Sequence, residues 1–277
     1  MTEHDDLVLD ANGVAMPARG LGTWRLRGDA CVEAVSHAMG VGYRHIDTAQ
    51  MYENEIEVGE GLKDSRLPRE QFFITSKIWP DRQHEIERAT EYSLRALDLD
   101  QLDLMLLHWP NPSIPVKETS RSLQRLVEEK LTRAVGIANA PTALLAETVA
   151  RLDVPLACNQ VEYHPFLNQS RVIEACAKHG VRLVAYCPIA KGKISDTRQI
   201  LEIGEAHGKT AAQVTLRWHF QQGVVAIPKT ATPERIEENF GIMDFSLSED
   251  EMAAISALAV PDGRLVDPAF APNWDQV

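Results

Sequence analysis

Apolar residues along this chain follow two alternating rhythms. Short, nearly continuous apolar runs occur eight times: 19–23 (RGLGT), 43–47 (YRHID), 72–77 (FFITSK), 102–108 (LDLMLLH), 133–139 (RAVGIAN), 156–163 (LACNQVEY), 182–188 (RLVAYCP) and 224–229 (VVAIPK). Such runs suit strands of a parallel sheet buried on both faces. Between them, at 29–40, 85–98, 117–130, 142–152 and 169–180, apolar residues recur at helical spacing with charges on the opposite side. That is the period of an amphipathic helix. Gly40, Gly42 and Gly180 stand where helices are expected to stop.

Strand followed by helix, eight times over, predicts an α/β protein: one (β/α)8 TIM barrel forming a single domain over 1–277. Ahead of it, two short runs around Ala11-Asn12-Gly13 predict an N-terminal β-hairpin. The seventh and eighth strands are separated by two helical stretches, 197–208 and 210–223. After the last strand, Ser248 and Glu251 have the spacing of a helix cap. The chain then ends in an irregular, Pro-rich tail carrying Phe270 and Trp274, for which the loop face of the barrel is the expected resting surface. An open doubly wound sheet is the alternative. It is disfavoured because Gly20-Leu21-Gly22 is followed by Thr-Trp-Arg, which leaves a dinucleotide fingerprint incomplete. No linker-like stretch divides the chain either.

Composition narrows the partners. The 277 residues are 44% hydrophobic and carry a formal net charge of -12. An acidic surface disfavours nucleic acid and anionic membranes, so any anionic ligand needs a local cationic site. Cys31, Cys158, Cys176 and Cys187 form no C-x-x-C pair and have no metal-ligand spacing with histidine, so free thiols in a reducing compartment are expected. The acidic start lacks an apolar signal region, and no apolar run reaches membrane-spanning length. Together these predict a cytoplasmic protein.

Chemistry concentrates at strand ends. Asp47, Lys77 and His108 close the second, third and fourth runs, and Tyr52 follows Asp47 by five residues. Barrels of this class place their active sites at the C-terminal ends of strands. Taken singly, the four have plain readings: a helix cap, a packed ring, a rim charge and a core histidine. Those readings leave unexplained why all four share one face. Together they supply what carbonyl reduction needs. Tyr52 is the proton donor, and a neighbouring Lys77 cation is expected to lower its pKa. Asp47 holds Lys77 charged, and His108 orients the carbonyl.

Those residues sit in longer motifs. GYRHIDTAQMYENEIEVG, TSKIW, DLMLLHWP, VGIAN, CNQVEYHP and IPKTATPERIEEN resemble segments of the aldo-keto reductase family, in order and along nearly the whole chain. The resemblance implies a catalytic tetrad of Asp47, Tyr52, Lys77 and His108, with Tyr52 as general acid and no metal. It implies that Asn139 and Gln160 hold the nicotinamide carboxamide and that Tyr186 stacks on the ring. Lys229, Thr230 and Arg235 match the family's 2′-phosphate site, with Glu238 and Asn239 near the adenine. A cationic pair at a helix start in an acidic protein independently favours NADPH over NADH. Ala138 replaces the family's usual Ser, and the loop after Tyr186 departs from the usual Pro-Leu-Gly or Pro-Leu-Ser, which leaves Lys191 and Lys193 as candidate pyrophosphate contacts.

Trp24, Trp79, Trp109 and Trp274 are the expected walls of a pocket for small carbonyl compounds, whereas Trp218 on a helix reads as core. GLGTWRL, DTAQMYENE and the tail DGRLVDPAFAPNWD are most similar to the family's bacterial 2,5-diketo-D-gluconate reductase group, B-type members, which also reduce methylglyoxal. The implied substrates are 2-oxoaldehydes or keto-sugar acids, and the implied state is a monomer. The alternatives from other classes are a non-catalytic NADP-binding sensor on the same barrel and a phosphate-binding isomerase or hydrolase. The latter would need a Gly-rich phosphate loop or a metal-ligand cluster that the sequence lacks.

Overall fold

Asn12 and Gly13 take positive φ angles of 56° and 91° in the computed structural model, which describes residues 8–275. Two successive left-handed residues make the tight turn whose twist suits an antiparallel pair. The turn joins β1 (Val8–Asp10) to β2 (Ala15–Pro17), with Asp10 opposite Ala15. This is the expected hairpin.

The chain then alternates. β3 (Gly20–Gly22), α1 (Gly28–Val41), β4 (His45–Asp47), α2 (Glu55–Asp64), β5 (Phe73–Ile78) and α3 (Ile86–Leu97) form the first units. β6 (Leu102–Leu107), α4 (Val116–Glu128), β7 (Thr132–Ala138), α5 (Thr142–Val149), β8 (Leu156–Glu162) and α6 (Ser170–Lys178) follow. β9 (Arg182–Tyr186), α7 (Arg198–His207), α8 (Ala211–Gln221), β10 (Val225–Ala226), α9 (Pro233–Phe240) and α10 (Glu249–Ser256) complete the chain. Strands β3 to β10 pair in parallel in sequence order. The two end strands also meet. Gly22 N donates to Pro228 O at 3.0 Å and Ala226 N to Ala18 O at 3.2 Å. The sheet thus closes into the (β/α)8 barrel that the alternation predicted.

One local expectation is corrected. Gly40 does not stop α1; the helix runs on to Val41, and Gly42, at φ 127°, ends it. Gly40 meets no neighbour and needs no special backbone angle, so nothing there breaks the helix. The double helix before the last strand appears as α7 and α8, and Ser248 caps α10 through a reciprocal pair with Glu251.

Alternation along the strands decides which residues reach the interior. Phe73, Leu104, Leu106, Ala134, Ala138, Cys158, Val184 and Val225 fill the barrel core, and Ala11 and Met16 of the hairpin plug its lower end. Their neighbours Ile74, Met105, Val135, Val161 and Leu183 face outward into the helix layer. Asp47 shares the parity of His45, Lys77 that of Phe73, and Gln160 and Glu162 that of Cys158. The inward positions at the C-terminal ends of these strands are therefore polar, above an apolar plug. The tail beyond α10 crosses this same end: Phe270 packs on Trp79 and Trp109, and Asp275 pairs with Thr142.

Candidate active site

Lys77 lies at the centre of the polar layer. Its side chain is buried, and Nζ donates to a carboxylate oxygen of Asp47, to Thr48 O at 2.7 Å and to the Tyr52 hydroxyl at 3.4 Å. The other Asp47 oxygen accepts from Gln160 Nε2 at 2.7 Å. A buried ion pair survives desolvation only when its remaining polar atoms are also met. Here Thr48 and Gln160 meet them.

Tyr52 reaches this pair from the loop after β4, on a single 3-10 turn at Gln50–Tyr52. Its ring packs edge-on against Trp24 at 4.9 Å and His108 at 5.6 Å between centroids. The expectation that Lys77 would lower the Tyr52 pKa is corrected. Burial, and secondarily the Asp47 charge, hold it well above the ordinary value. The phenol is therefore fully protonated at neutral pH. Burial also lowers the Lys77 pKa, against the pull of Asp47.

His108 follows β6. Burial, then the Lys77 charge, hold its pKa well below the ordinary value, so the ring is neutral. Its Nδ1 is buried without a hydrogen-bond partner among the described residues, and its ring meets Trp79 at 5.1 Å. A neutral imidazole facing the mouth can donate one hydrogen bond to a ligand oxygen. The four tetrad residues thus converge as expected.

The candidate carboxamide holders form a linked set beside them. Asn139, at φ 58°, donates from Nδ2 to His108 O at 2.9 Å, and its Oδ1 accepts from the Tyr186 hydroxyl at 2.8 Å. Tyr186 ends β9 on the same mouth. Gln160 keeps its Oε1 free of hydrogen bonds among the described residues, so an acceptor remains for an amide ligand. Ala138 is buried, and the hydroxyl that a Ser would bring is absent.

The candidate phosphate residues lie elsewhere on the rim. β10 proper ends at Ala226, and Lys229 continues its line through a bridge to Gly22. Lys229 and Arg235 are exposed and make no ion pair among the described residues. Arg235 lies in the first turn of α9, and the Thr230 hydroxyl accepts from Thr232 N at 3.1 Å. Glu238 accepts from the Thr210 hydroxyl at 2.6 Å, and Asn239 is buried beside it in sequence. Two unpaired cations at a helix start fit a phosphate. Lys191, by contrast, bonds Leu265 O at 3.2 Å, and Lys193 is exposed.

The aromatic walls are partly as expected. Trp24 is 40% exposed at the mouth, and Trp79 stands half-buried over His108. Trp109 is buried beneath them as a support, touching Phe270 at 5.4 Å and Trp274 at 6.1 Å. Trp274 turns its face to the Arg264 guanidinium at 3.7 Å. Trp218 is core, as read. Phe270, half-exposed against Trp79 and Trp109, joins the wall although the sequence reading named it only as part of the tail. Among the described residues no group of three or more His, Cys, Asp or Glu could hold a metal ion, and no helix is long and apolar enough to cross a membrane.

Comparison with known proteins agrees with this arrangement. The sequence profile described as "Aldo/keto reductase family" matches residues 19–260. The glyoxal reductase of Bacillus subtilis (strain 168) is 42% identical over 279 residues, covering 100% of this chain and 99% of the relative. The methylglyoxal reductase DkgA of Escherichia coli (strain K12) is 38% identical over 250 residues, 89% of this chain and 91% of the relative. A crystal structure provisionally named 2,5-diketo-D-gluconic acid reductase B superposes with a TM-score of 0.95 at 42% identity, over 98% of this chain and 99% of that one. These matches make the chain an oxidoreductase built on a (β/α)8 barrel. It belongs to the aldo/keto reductase family, whose members depend on a nicotinamide cofactor.

Proposed function

We propose that this protein is an NADPH-dependent reductase of small aldehydes and ketones, acting as a monomeric, single-domain barrel in the cytoplasm. The proposed substrates are 2-oxoaldehydes such as methylglyoxal and keto-sugar acids such as 2,5-diketo-D-gluconate. The names of the relatives favour this class, and the compact aromatic mouth suits it. One observation carries the reading: Lys77 Nζ joins Asp47, Thr48 and the Tyr52 hydroxyl at one buried point facing neutral His108.

Reduced nicotinamide, when bound, supplies the hydride for the carbonyl carbon. The chain supplies the rest. His108 donates a hydrogen bond to the carbonyl oxygen and fixes its direction. Tyr52, protonated at neutral pH, gives its proton to that oxygen as it becomes an alkoxide. The phenolate left behind lies beside the Lys77 ammonium, which Asp47 keeps charged. Preorganised charge of this kind acts strongly in a site closed to water. Trp24, Trp79 and Phe270 line the mouth and would cover a bound substrate on that side. Asn139 and Gln160 would hold the carboxamide, with Tyr186 against the ring. Lys229, Thr230 and Arg235 would hold the 2′-phosphate, and Glu238 and Asn239 would lie by the adenine.

The test is NADPH oxidation by purified protein with methylglyoxal, with NADH in parallel. Turnover favouring NADPH is expected. Tyr52→Phe should lower kcat by about 10²–10⁴-fold, the usual worth of a general acid, while NADPH binding stays nearly unchanged. Wild-type rates in that variant would remove Tyr52 from its role.

A further inference from the structure

Glu162 is a buried carboxylate at the mouth that the chemistry above does not use. It closes β8, two residues past Gln160 on the same inward face, and its side chain is 0% exposed. One oxygen accepts from Leu265 N at 2.7 Å, and the other from Val266 N at 3.0 Å. His164 Nε2 lies 3.0 Å from the first oxygen, and the Arg264 guanidinium 3.9 Å from the second. All these amides and the guanidinium belong to the tail, except His164. A carboxylate that takes two consecutive backbone N–H groups fixes both the position and the register of the segment that offers them.

The tail is also held by Lys191 Nζ, which donates to Leu265 O at 3.2 Å, and at its far end, where Asp275 accepts from Thr142 N at 2.9 Å and Thr142 Oγ1 at 2.7 Å. Between the ties, Phe270 lies against Trp79 and Trp109, and Trp274 stacks on Arg264. The inner end is tightly seated. A Cβ on Gly263 would lie 1.7 Å from Phe166 O, so only glycine lets the tail lie so close to the loop after β8.

We infer that Glu162 is a positioning residue for substrate selection: it registers the tail so that Phe270 stands over the mouth and forms the wall against which larger carbonyl substrates bind. This rests on the reductase reading above and goes beyond it. Glu162 touches neither the reacting atoms nor the Lys77 centre. Its loss therefore acts on substrates large enough to reach Phe270 and spares those that are not.

The experiment compares methylglyoxal with 4-nitrobenzaldehyde in wild type, Glu162→Gln and Gly263→Ala. In Glu162→Gln, an NH2 donor replaces one of the two acceptor oxygens, so one of the two backbone N–H groups loses its partner. KM for 4-nitrobenzaldehyde is expected to rise about tenfold, with kcat for methylglyoxal and the NADPH dissociation constant held within about twofold. Gly263→Ala displaces the tail without touching the barrel interior and should give the same split, which covers the case in which the Glu162 variant fails to fold. In the Phe270→Ala background, Glu162→Gln should add nothing, because Glu162 acts through that ring. Equal loss for both aldehydes, additive losses with Phe270→Ala, or no change in either tail variant would each overturn the proposal. Hydrogen exchange gives a reading that does not depend on activity. The Leu265 and Val266 amides should both be protected in wild type and at least one of them exposed in Glu162→Gln, even if the wild-type protein turned over neither aldehyde and the reductase reading failed. Unprotected wild-type amides would sink the anchor itself.

Discussion

Buried histidines tie the site to the stability of the fold. Burial lowers the pKa of His45 and His108, and pushes His219 down to about 4 although Thr215 O and Tyr163 O hold against the fall. In the unfolded chain all three take up protons near pH 6.5. Their folded pKa values are depressed, so the unfolded state binds protons first as pH falls. Their contribution to stability is complete above about pH 6.5 and is lost below it, down to about pH 4 for His219. Each group adds a slope of about 1.4 kcal/mol per pH unit within its window. Glu55 works the other way. Burial raises its pKa, so the folded protein binds that proton first and gains stability as pH falls toward the ordinary carboxylate range. One carboxyl offsets only part of three imidazoles. Urea unfolding at pH 7.5, 6.5 and 5.5 should therefore give a falling free energy, and a flat or rising series would contradict these environments.

At the scale of elements, most of the fold was legible because rhythm and burial agree. β5 and β6 are buried along their whole length, and α3 and α6 carry a clean apolar stripe. α2 was not among the helices the rhythm picked out. Its packing face includes Gly59 and Gly61, which let it approach Leu97 O and Val32 O so closely that a Cβ would lie within 2.6 and 2.8 Å of them. A packing face in which two glycines stand beside Val58 and Leu62 leaves only a weak apolar signal. The convergence of Asp47, Lys77 and His108 was legible because they lie at or just past strand ends, with Tyr52 in the loop after one of those strands, so position and chemistry coincide in short segments. Glu162 was not, although its parity with Gln160 marks it as inward-facing. Its role depends on Leu265 and Val266, over a hundred residues away. The Tyr186–Asn139 bond was hidden for the same reason: it joins two strands that no local pattern pairs. Helix ends offer a simpler test. Asp98 caps α3 in the left-handed region at φ 55°, exposed, and among the described residues its one ion pair is a distant one to Lys63 at 4.0 Å. Asp98→Gly should stabilise the protein by about 0.5–1 kcal/mol, since glycine adopts that angle without the Cβ penalty and an exposed pair contributes little. Chemical denaturation of the two proteins measures it, and a loss of stability would show that the Lys63 pair matters more than the backbone.

The whole molecule sets an electrostatic problem for the proposed dinucleotide. A net charge of -12 repels an anionic dinucleotide at long range. Many of the surface guanidiniums are already paired: Arg27 with Glu53, Arg125 with Glu87, Arg151 with Glu147 and Arg198 with Glu202. Lys229 and Arg235 have no such partners among the described residues; Lys229 continues the line of the last strand and Arg235 lies in the first turn of α9. Leaving two cations unpaired in an acidic protein gains nothing for the fold, but it suits a ligand phosphate. If that phosphate is the one that separates NADPH from NADH, Lys229→Ala and Arg235→Ala should each weaken NADPH binding by about 10–100-fold, the worth of one hydrogen bond to a charged group. NADH binding should change by less than about twofold, because it makes no contact there. Added salt should erode NADPH affinity in wild type more than in either variant, since the screened interaction is the one the variants lack. Equal losses for both dinucleotides would move the phosphate away from this corner of the rim. The tetrad's geometry would be untouched by that result, because its ties run through β4, β5 and β8 and not through the last strand.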